Sequence, residues 1–212
     1  MTEHDPFGRG RVRRLFGLDR SAPPPPSTRK GEPLHPWTIP NAVGYLRLAA
    51  LPVFLVLAYN TDDGTSVLSA MVYWAIAAGD YLDGILARIT GQYSRMGALL
   101  DPLVDRLTIL AGAVVCWRFE LLPRWALALL ALRELAMLFL AQYGLRHGVD
   151  IEVNWPGRIS VFPIMGGIFL ALLAPGWVAT ALLIWGLVMA IIATVLYAQT
   201  GIRTVRERQA AS

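Results

Sequence analysis

The sequence predicts an all-α integral membrane protein with six transmembrane helices and both termini in the cytoplasm. Of its 212 residues 55% are hydrophobic, which is too many for a soluble domain of this size. These residues form six apolar segments, each near the length of about 20 residues that a spanning helix needs or slightly short of it. Fourteen Lys and Arg residues fall in the two tails and in the second and fourth loops, against two in the remaining loops. Because cytoplasmic loops carry the excess of positive charge, this distribution places both tails in the cytoplasm.

Residues 1–37 form a polar, basic tail before the first apolar segment. Four arginines within residues 9–14 lead into Leu15 and Phe16, and a proline run follows at residues 23–26. The tail has no apolar core of the kind that a signal peptide requires. Two interpretations remain open, a short helix lying against anionic lipid head groups and a disordered tail that only fixes the topology.

The six-helix domain is predicted over residues 38–202, and a basic tail over residues 203–212 follows it. The single Cys116 excludes a disulfide within the chain. The fifth segment is the shortest, so its boundaries are the least sharply defined. The predicted segments are Ile39–Tyr59, Val67–Ile89, Ala98–Phe119, Leu121–Leu145, Ile159–Leu173 and Trp177–Thr200.

The second segment contains charges that are costly in a bilayer and therefore indicate a function. At about 100° per residue on a helix, Asp83, Gly84, Ala87 and Arg88 all lie within about 80° of Asp80. Two acids, two small residues and a cation thus share one face. The small residues leave room for a flat group beside the backbone, and Arg88 is placed to bind a phosphate.

The third segment repeats its acids with a helical period. Gly97, Asp101 and Asp105 recur every four residues, which stacks them in one row on a helix. If both segments fold as a hairpin about residues 90–92, all four acids come together. Carboxylates so close need cations, and oxygen ligands suit two hard divalent ions such as Mg²⁺, Mn²⁺ or Ca²⁺. The sequence therefore predicts a metal-diphosphate site at the cytoplasmic ends of the second and third helices.

These eight residues spell D-x-x-D-G-x-x-A-R-x8-G-x3-D-x3-D without a departure. The pattern resembles that of the CDP-alcohol phosphatidyltransferase family, class I. The resemblance implies a metal-dependent transferase of phospholipid biosynthesis that uses CDP-diacylglycerol. It also implies that the four acids hold two Mg²⁺ or Mn²⁺ ions, with Asp105 serving in addition as the catalytic base. The implied residues for the CDP and diphosphate are Asp80, Gly84, Ala87, Arg88 and Gly97.

The first segment opens with Ile-Pro-Asn, and Pro40 suits the first turn of a helix. The opening resembles the I-P-N-x-x-T-x-x-R-x-x-x-x-P motif of the glycerol-acceptor branch of the family, with Gly44 in place of Thr. Asn41 and Arg47 are stable on an inward face of this membrane helix only if polar groups lie beside them. The resemblance assigns both residues to binding of the diphosphate. For Arg47, a structural ion pair with an acid is the alternative.

The fourth segment contains Arg133 and Glu134 in mid-span, and the loop before the fifth segment reads NWPGRIS. Both features resemble the glycerol branch, with Arg158 where that branch usually has Lys. On this interpretation Arg133 and Arg158 bind the acceptor's phosphate and Glu134 orients one of them. The alternative is an internal Arg-Glu pair that stabilises the fourth helix, with Arg158 serving only as a cytoplasmic charge.

The resemblance implies that an acceptor hydroxyl attacks the phosphatidyl phosphorus of CDP-diacylglycerol and that CMP leaves. Two acceptors remain open, glycerol 3-phosphate, which gives phosphatidylglycerophosphate, and phosphatidylglycerol, which gives cardiolipin. The motifs lean slightly to glycerol 3-phosphate, whereas the departures at Gly44 and Arg158 point to phosphatidylglycerol. The expected partners are these substrates and membrane lipids, not nucleic acid, and a homodimer is left open.

Two other classes of protein fit the pattern less well. A six-helix transporter also places acids in a wet cavity, but it has no need of the Gly-x-x-Ala-Arg residues between them. No inverted repeat is visible either, because the second half has no counterpart of the acidic hairpin. A scaffold with an inactive site would not need to keep all four acids.

Overall fold

The computed structural model describes residues 35–90, 92–146 and 155–210, which form six α-helices. The basic tail up to residue 34 lies outside the described residues, so neither interpretation of it is tested. The helices are α1 (Ile39–Tyr59), α2 (Val67–Thr90), α3 (Arg95–Arg118), α4 (Arg124–Arg146), α5 (Trp155–Leu173) and α6 (Trp177–Ala210).

The helices agree with the predicted segments to within a few residues at most ends, and two ends differ in a way that matters. α5 begins at Trp155, so the stretch up to Arg158 that was predicted to be a loop is the first turn of a helix. Pro156 is tolerated there because the first-turn N–H groups have no partner within the helix. α6 continues to Ala210, so most of the predicted C-terminal tail is helical. Its Arg, Glu, Gln and Ala residues are all good helix formers.

Among the described residues, two stretches are long and apolar enough to cross a membrane, Ile39–Tyr59 and Trp177–Thr200, and Ile159–Leu173 is a shorter apolar helix. Large apolar side chains are also exposed along the helices, including Phe162 at 79% and Trp177 at 82%. Exposed apolar surface on this scale marks contact with lipid or with another protein. These features are consistent with a helical membrane protein.

The chain divides into two compact units. Of the described residues, the first unit contains those up to Val53 together with those of Trp74–Thr108, and the second contains Phe54–Tyr73 together with those from Ile109 onward. α1, α2 and α3 contribute residues to both units. All candidate site residues on these three helices belong to the first unit, whereas those on α4 and α5 belong to the second.

In the second unit, α6 packs against α5 and α4. The contact with α5 depends on glycine, because a Cβ atom at Gly167 would lie 2.8 Å from both the Ala179 carbonyl oxygen and the Leu183 nitrogen. A Cβ atom at Gly186 would likewise lie 2.8 Å from the Ile164 nitrogen. Small residues of this kind let two membrane helices approach closely.

We expect Gly167→Ala to destabilise the protein and Gly166→Ala to leave it unchanged or slightly more stable. The first methyl group meets backbone that cannot move alone, whereas nothing lies within 4 Å of a Cβ atom at Gly166. Overpacking of this kind costs about 1–3 kcal/mol. Thermal unfolding of both variants in detergent measures the difference, and equal melting temperatures would contradict the close approach of α5 and α6.

Candidate active site

Arg47 lies at the centre of the acidic cluster of the first unit. Its side chain is 3% exposed, and its Nε donates a hydrogen bond to the carbonyl oxygen of Ile76 at 2.8 Å. Nη1 lies 3.0 Å from Asp83 Oδ2 and 3.5 Å from Asp80 Oδ1, and Nη2 lies 2.8 Å from Asp105 Oδ1. Arg47 therefore forms ion pairs with acidic side chains. This is the alternative to diphosphate binding that the sequence left open.

The helical period explains why three acids reach one guanidinium. Asp80 and Asp83 are three residues apart on α2 and so share a face, and Asp105 projects from α3. The side chains differ in exposure, from 5% for Asp83 through 29% for Asp105 to 46% for Asp80. The cluster thus has a buried side and a side open to its surroundings, which a reactive site needs for substrate access.

Asp101 is the fourth predicted metal ligand and lies one turn before Asp105 on α3. It is half-buried, and within the described part of the chain no hydrogen bond or ion pair reaches it. The guanidinium of Arg47 offsets one of the four carboxylates, so a net negative charge remains at the cluster. The Arg47 guanidinium is hydrogen-bonded to the other three acids and not to Asp101.

Gly79 is a site residue for which the sequence analysis gave no role. A Cβ atom there would lie 2.7 Å from Cδ and 2.9 Å from Cγ of Arg47. Glycine at this position therefore lets the Arg47 side chain lie against α2 and reach the acids. The sequence shows a glycine directly before Asp80 in an apolar helix. It does not show that this glycine lies against Arg47 on α1.

Asn41 and Gly97 meet where α1 and α3 begin. The Asn41 Nδ2 donates to the carbonyl oxygens of His35 and Pro36, and its Oδ1 accepts from the Ser94 hydroxyl at 2.9 Å. The Ser94 hydroxyl also accepts a hydrogen bond from the backbone N–H of Gly97 at 3.0 Å, which caps the start of α3.

Gly97 also lies directly against Asn41, because a Cβ atom at Gly97 would lie 2.7 Å from Asn41 Oδ1. The Asn41 amide thus fixes the helix that carries Asp101 and Asp105, and Ser94 is a participant that the sequence analysis missed.

The remaining predicted residues for the diphosphate lie on α2. Gly84 and Ala87 are half-buried and share the face of Asp80 and Asp83. Arg88 follows on the same helix, and its side chain lies outside the described residues. The backbone therefore has the predicted arrangement, while the contacts of Arg88 stay a prediction.

Gly44 on α1 faces α3 rather than open space. A Cβ atom there would lie 2.6 Å from Leu100 Cδ2. The Thr that the glycerol-acceptor motif usually has at this position would not fit without movement of Leu100. The loss of the hydroxyl is thus matched by closer packing between α1 and α3.

In the second unit, Arg133 and Glu134 form an ion pair on α4. Both are nearly buried, and the Arg133 Nε donates a hydrogen bond to the hydroxyl of Thr194 on α6 at 3.3 Å. This is the internal pair that one interpretation of the sequence supposed, and the role in acceptor binding stays a prediction. Arg158 lies in the first turn of α5, and its side chain is outside the described residues.

The donor set of the acidic cluster fits hard divalent cations. All four candidate ligands are carboxylates, and oxygen-only sites suit Mg²⁺ and Mn²⁺. Among the described residues, however, no three Asp, Glu, His or Cys side chains are placed together in a way that would hold a metal ion. Three of the acids converge on the Arg47 guanidinium instead. The carboxylate oxygens therefore suit hard divalent cations, but in this structure three of the four acids are paired with Arg47.

Comparison with known proteins matches the chain to one enzyme family. Residues 37–194 match the CDP-alcohol phosphatidyltransferase family. The chain is 37% identical over 172 residues to the cardiolipin synthase (CMP-forming) of Streptomyces coelicolor, covering 78% of this chain and 80% of that protein. It is 31% identical over 183 residues to a putative cardiolipin synthase of Mycobacterium tuberculosis, and this match covers 80% of this chain and 85% of that protein. It is 35% identical over 126 residues to a probable phosphatidylglycerophosphate synthase of Mycobacterium tuberculosis, and this match covers 58% of this chain and 59% of that protein.

The helical fold, the acidic cluster and these matches define a transferase of phospholipid biosynthesis. The chain belongs to the CDP-alcohol phosphatidyltransferase family. The match contains the complete Asp80–Asp105 motif, so the resemblance that the sequence showed is confirmed. The enzyme class is thereby settled as a phosphatidyltransferase, and neither a transporter nor an inactive scaffold is needed to explain the acids.

Proposed function

We propose that the protein transfers the phosphatidyl group of CDP-diacylglycerol to the free glycerol hydroxyl of phosphatidylglycerol, forming cardiolipin and releasing CMP. The observation that carries this proposal is the similarity to the Streptomyces cardiolipin synthase, which extends over four fifths of both chains. The departure at Gly44, where the glycerol-acceptor motif usually has Thr, also points to phosphatidylglycerol. Glycerol 3-phosphate is the second candidate, because the phosphatidylglycerophosphate synthase relative is similar over a shorter stretch and the Ile-Pro-Asn and Arg-Glu motifs are present.

The four acids of α2 and α3 would hold two Mg²⁺ or Mn²⁺ ions. When bound, such ions neutralise the diphosphate and stabilise the charge on the entering and leaving oxygens. Gly84 and Ala87 would leave room for the cytidine, and Arg88 would offset part of the diphosphate charge. Asn41 would act through the start of α3, because its amide is bonded to Ser94 beside Gly97.

Asp105 would accept the proton of the acceptor hydroxyl. Its Oδ1 accepts a hydrogen bond from Arg47, and in the described part of the chain no hydrogen bond reaches Oδ2. As the hydroxyl oxygen bonds to the phosphatidyl phosphorus, its proton passes to this carboxylate. The bond between that phosphorus and the bridging oxygen then breaks, and CMP leaves with the bond's electrons.

We also propose that all six helices cross the membrane and that the acidic cluster lies on the cytoplasmic side. The distribution of Lys and Arg supports this orientation, with fourteen on the proposed cytoplasmic side. CMP would then be released into the cytoplasm, and both lipid substrates would enter from the bilayer. A homodimer stays a prediction.

The acceptor is tested with purified protein in liposomes that contain CDP-diacylglycerol. We expect labelled phosphatidylglycerol to give cardiolipin with one CMP released per product, and labelled glycerol 3-phosphate to give far less product. Phosphatidylglycerophosphate as the main product would move the assignment to the second candidate. If CMP were released with neither acceptor, both candidate functions would be overturned.

The proposed acceptor residues are tested by Arg133→Ala combined with Arg158→Ala. Charge-assisted hydrogen bonds are worth about 1.5–3 kcal/mol each, so the KM for the acceptor should rise at least about tenfold. The KM for CDP-diacylglycerol should barely move. Arg124→Ala is the matched control, because Arg124 lies on the same helix but is exposed and paired with Glu120. An equal rise in both KM values would make Arg133 and Arg158 structural.

A further inference from the structure

The Arg47 side chain is held at three points, only one of which involves the carboxylates. Its Nε is bonded to the carbonyl oxygen of Ile76, and its Cγ and Cδ lie in the space that Gly79 leaves on α2. Its two terminal nitrogens then reach the acids. The fork of a guanidinium can bond two carboxylates at once, which a lysine ammonium does less well.

This arrangement occupies oxygens that the proposed metal ions would need. Asp83 Oδ2 and Asp105 Oδ1 are bonded to Arg47 at 3.0 Å and 2.8 Å, and Asp80 Oδ1 is at the limit of bonding distance. Without a cation among them, carboxylates this close repel one another. A buried arginine without its acids would be equally unfavourable. Each group therefore stabilises the other when no metal is bound.

Building on the proposed two-metal function, we propose that Arg47 is the resident counterion of the acidic cluster. It holds Asp80, Asp83 and Asp105 in place before the divalent cations bind, and it gives up their oxygens when the cations arrive. Gly79 is the residue that lets Arg47 do so. Arg47 is thus a positioning residue that competes with the metals, and Asp101, which it does not contact, is the carboxylate available to an incoming cation.

Two opposite effects follow from removing this charge. Without Arg47 the metal-free cluster has no counterion, so the protein should be less stable in a chelator. The divalent cations would no longer compete with a guanidinium, so their affinity should rise. A residue needed only for folding would lower the stability without tightening metal binding, which separates the two roles.

The experiment measures metal binding and stability without any substrate. Purified protein in detergent is stripped with EDTA, and Mn²⁺ binding is followed by calorimetry or by the electron paramagnetic resonance of free Mn²⁺. For Arg47→Gln we expect at least about tenfold tighter Mn²⁺ binding, because a like charge a few ångströms away is removed. We also expect a lower melting temperature in EDTA that Mn²⁺ restores. Arg124→Gln, which removes an exposed arginine paired with Glu120, should change neither quantity.

Three further variants keep the test decisive if Arg47→Gln does not fold. Gly79→Ala keeps the charge but displaces the side chain, so it should lower the melting temperature in EDTA and raise Mn²⁺ affinity. Asp105→Asn removes a partner of Arg47 and should lower the melting temperature in EDTA. Asp101→Asn breaks no hydrogen bond to Arg47 and relieves repulsion among the acids, so it should not lower the melting temperature. Equal effects of the two Asn variants, or Mn²⁺ affinity that is unchanged or weaker in both Arg47→Gln and Gly79→Ala, would overturn the proposal.

The two proposals fail in different ways. If the wild-type protein bound no Mn²⁺ and released CMP without it, the two-metal part of the proposed function would fall, and with it the competition with metals. The comparison of Asp105→Asn with Asp101→Asn in EDTA would still decide whether Arg47 is the counterion. If Mn²⁺-dependent release of CMP were found while Mn²⁺ binding did not respond to Arg47, only the counterion proposal would fall.

Discussion

Removal of divalent cations is expected to abolish the release of CMP from CDP-diacylglycerol, and Mg²⁺ or Mn²⁺ is expected to restore it. Asp80, Asp83, Asp101 and Asp105 together contain four carboxylates, and Arg47 offsets the charge of only one of them. The diphosphate of the substrate would add further negative charge. Without cations, the substrate's reacting phosphate would be repelled by the residues meant to bind it.

We expect turnover after exhaustive chelation to fall by at least about 10³-fold, since metal stabilisation of transition-state charge is worth several kcal/mol. CMP release by purified protein in liposomes is the measurement, before chelation, after it and after metal is added back. Melting temperatures in the same samples provide the control, because Arg47 should keep the metal-free protein folded. Turnover that persists in a folded, metal-free sample would contradict the two-metal site.

The acidic cluster could be predicted from the sequence because it depends on helical periodicity. Spacings of three and four residues placed Asp80 with Asp83 and Asp101 with Asp105 on single faces, and α2 and α3 confirm both helices. The sequence could not show what lies between the acids. Whether Arg47 reached a substrate or an acid depended on the distance between α1 and α2, which no local pattern encodes.

The residues that were missed act through contacts between helices. Gly79 has a role only because Arg47 passes beside it, and Ser94 only because Asn41 lies within hydrogen-bond distance. The error in α5 has a different origin. Trp-Pro-Gly is typical of a turn, yet Pro156 in the first turn of a helix has no intrahelical hydrogen bond to lose. The apolar segment predicted from Ile159 therefore missed the first turn of α5.

Asp105→Asn is expected to lower turnover by about 10²-fold or more while CDP-diacylglycerol still binds. The amide has nearly the shape of the carboxylate but cannot accept the proton of the acceptor hydroxyl, and loss of a general base costs about 10²–10⁴-fold. Asp105 is the acid on α3 that is bonded to Arg47 through one oxygen and partly exposed. The measurement is kcat for CMP release, together with the KM for CDP-diacylglycerol.

This variant also removes a partner of Arg47, so a loss of folding has to be separated from a loss of chemistry. Melting temperature at saturating Mn²⁺ makes that separation, because Asp80, Asp83 and Asp101 would still hold cations that compensate for the missing ion pair. Glu120→Gln is the control for an acid-to-amide change outside the cluster, since Glu120 is exposed and paired with Arg124. A folded Asp105→Asn protein with unchanged kcat would remove Asp105 from the role of base. A rise in KM for CDP-diacylglycerol with kcat unchanged would instead limit it to substrate binding.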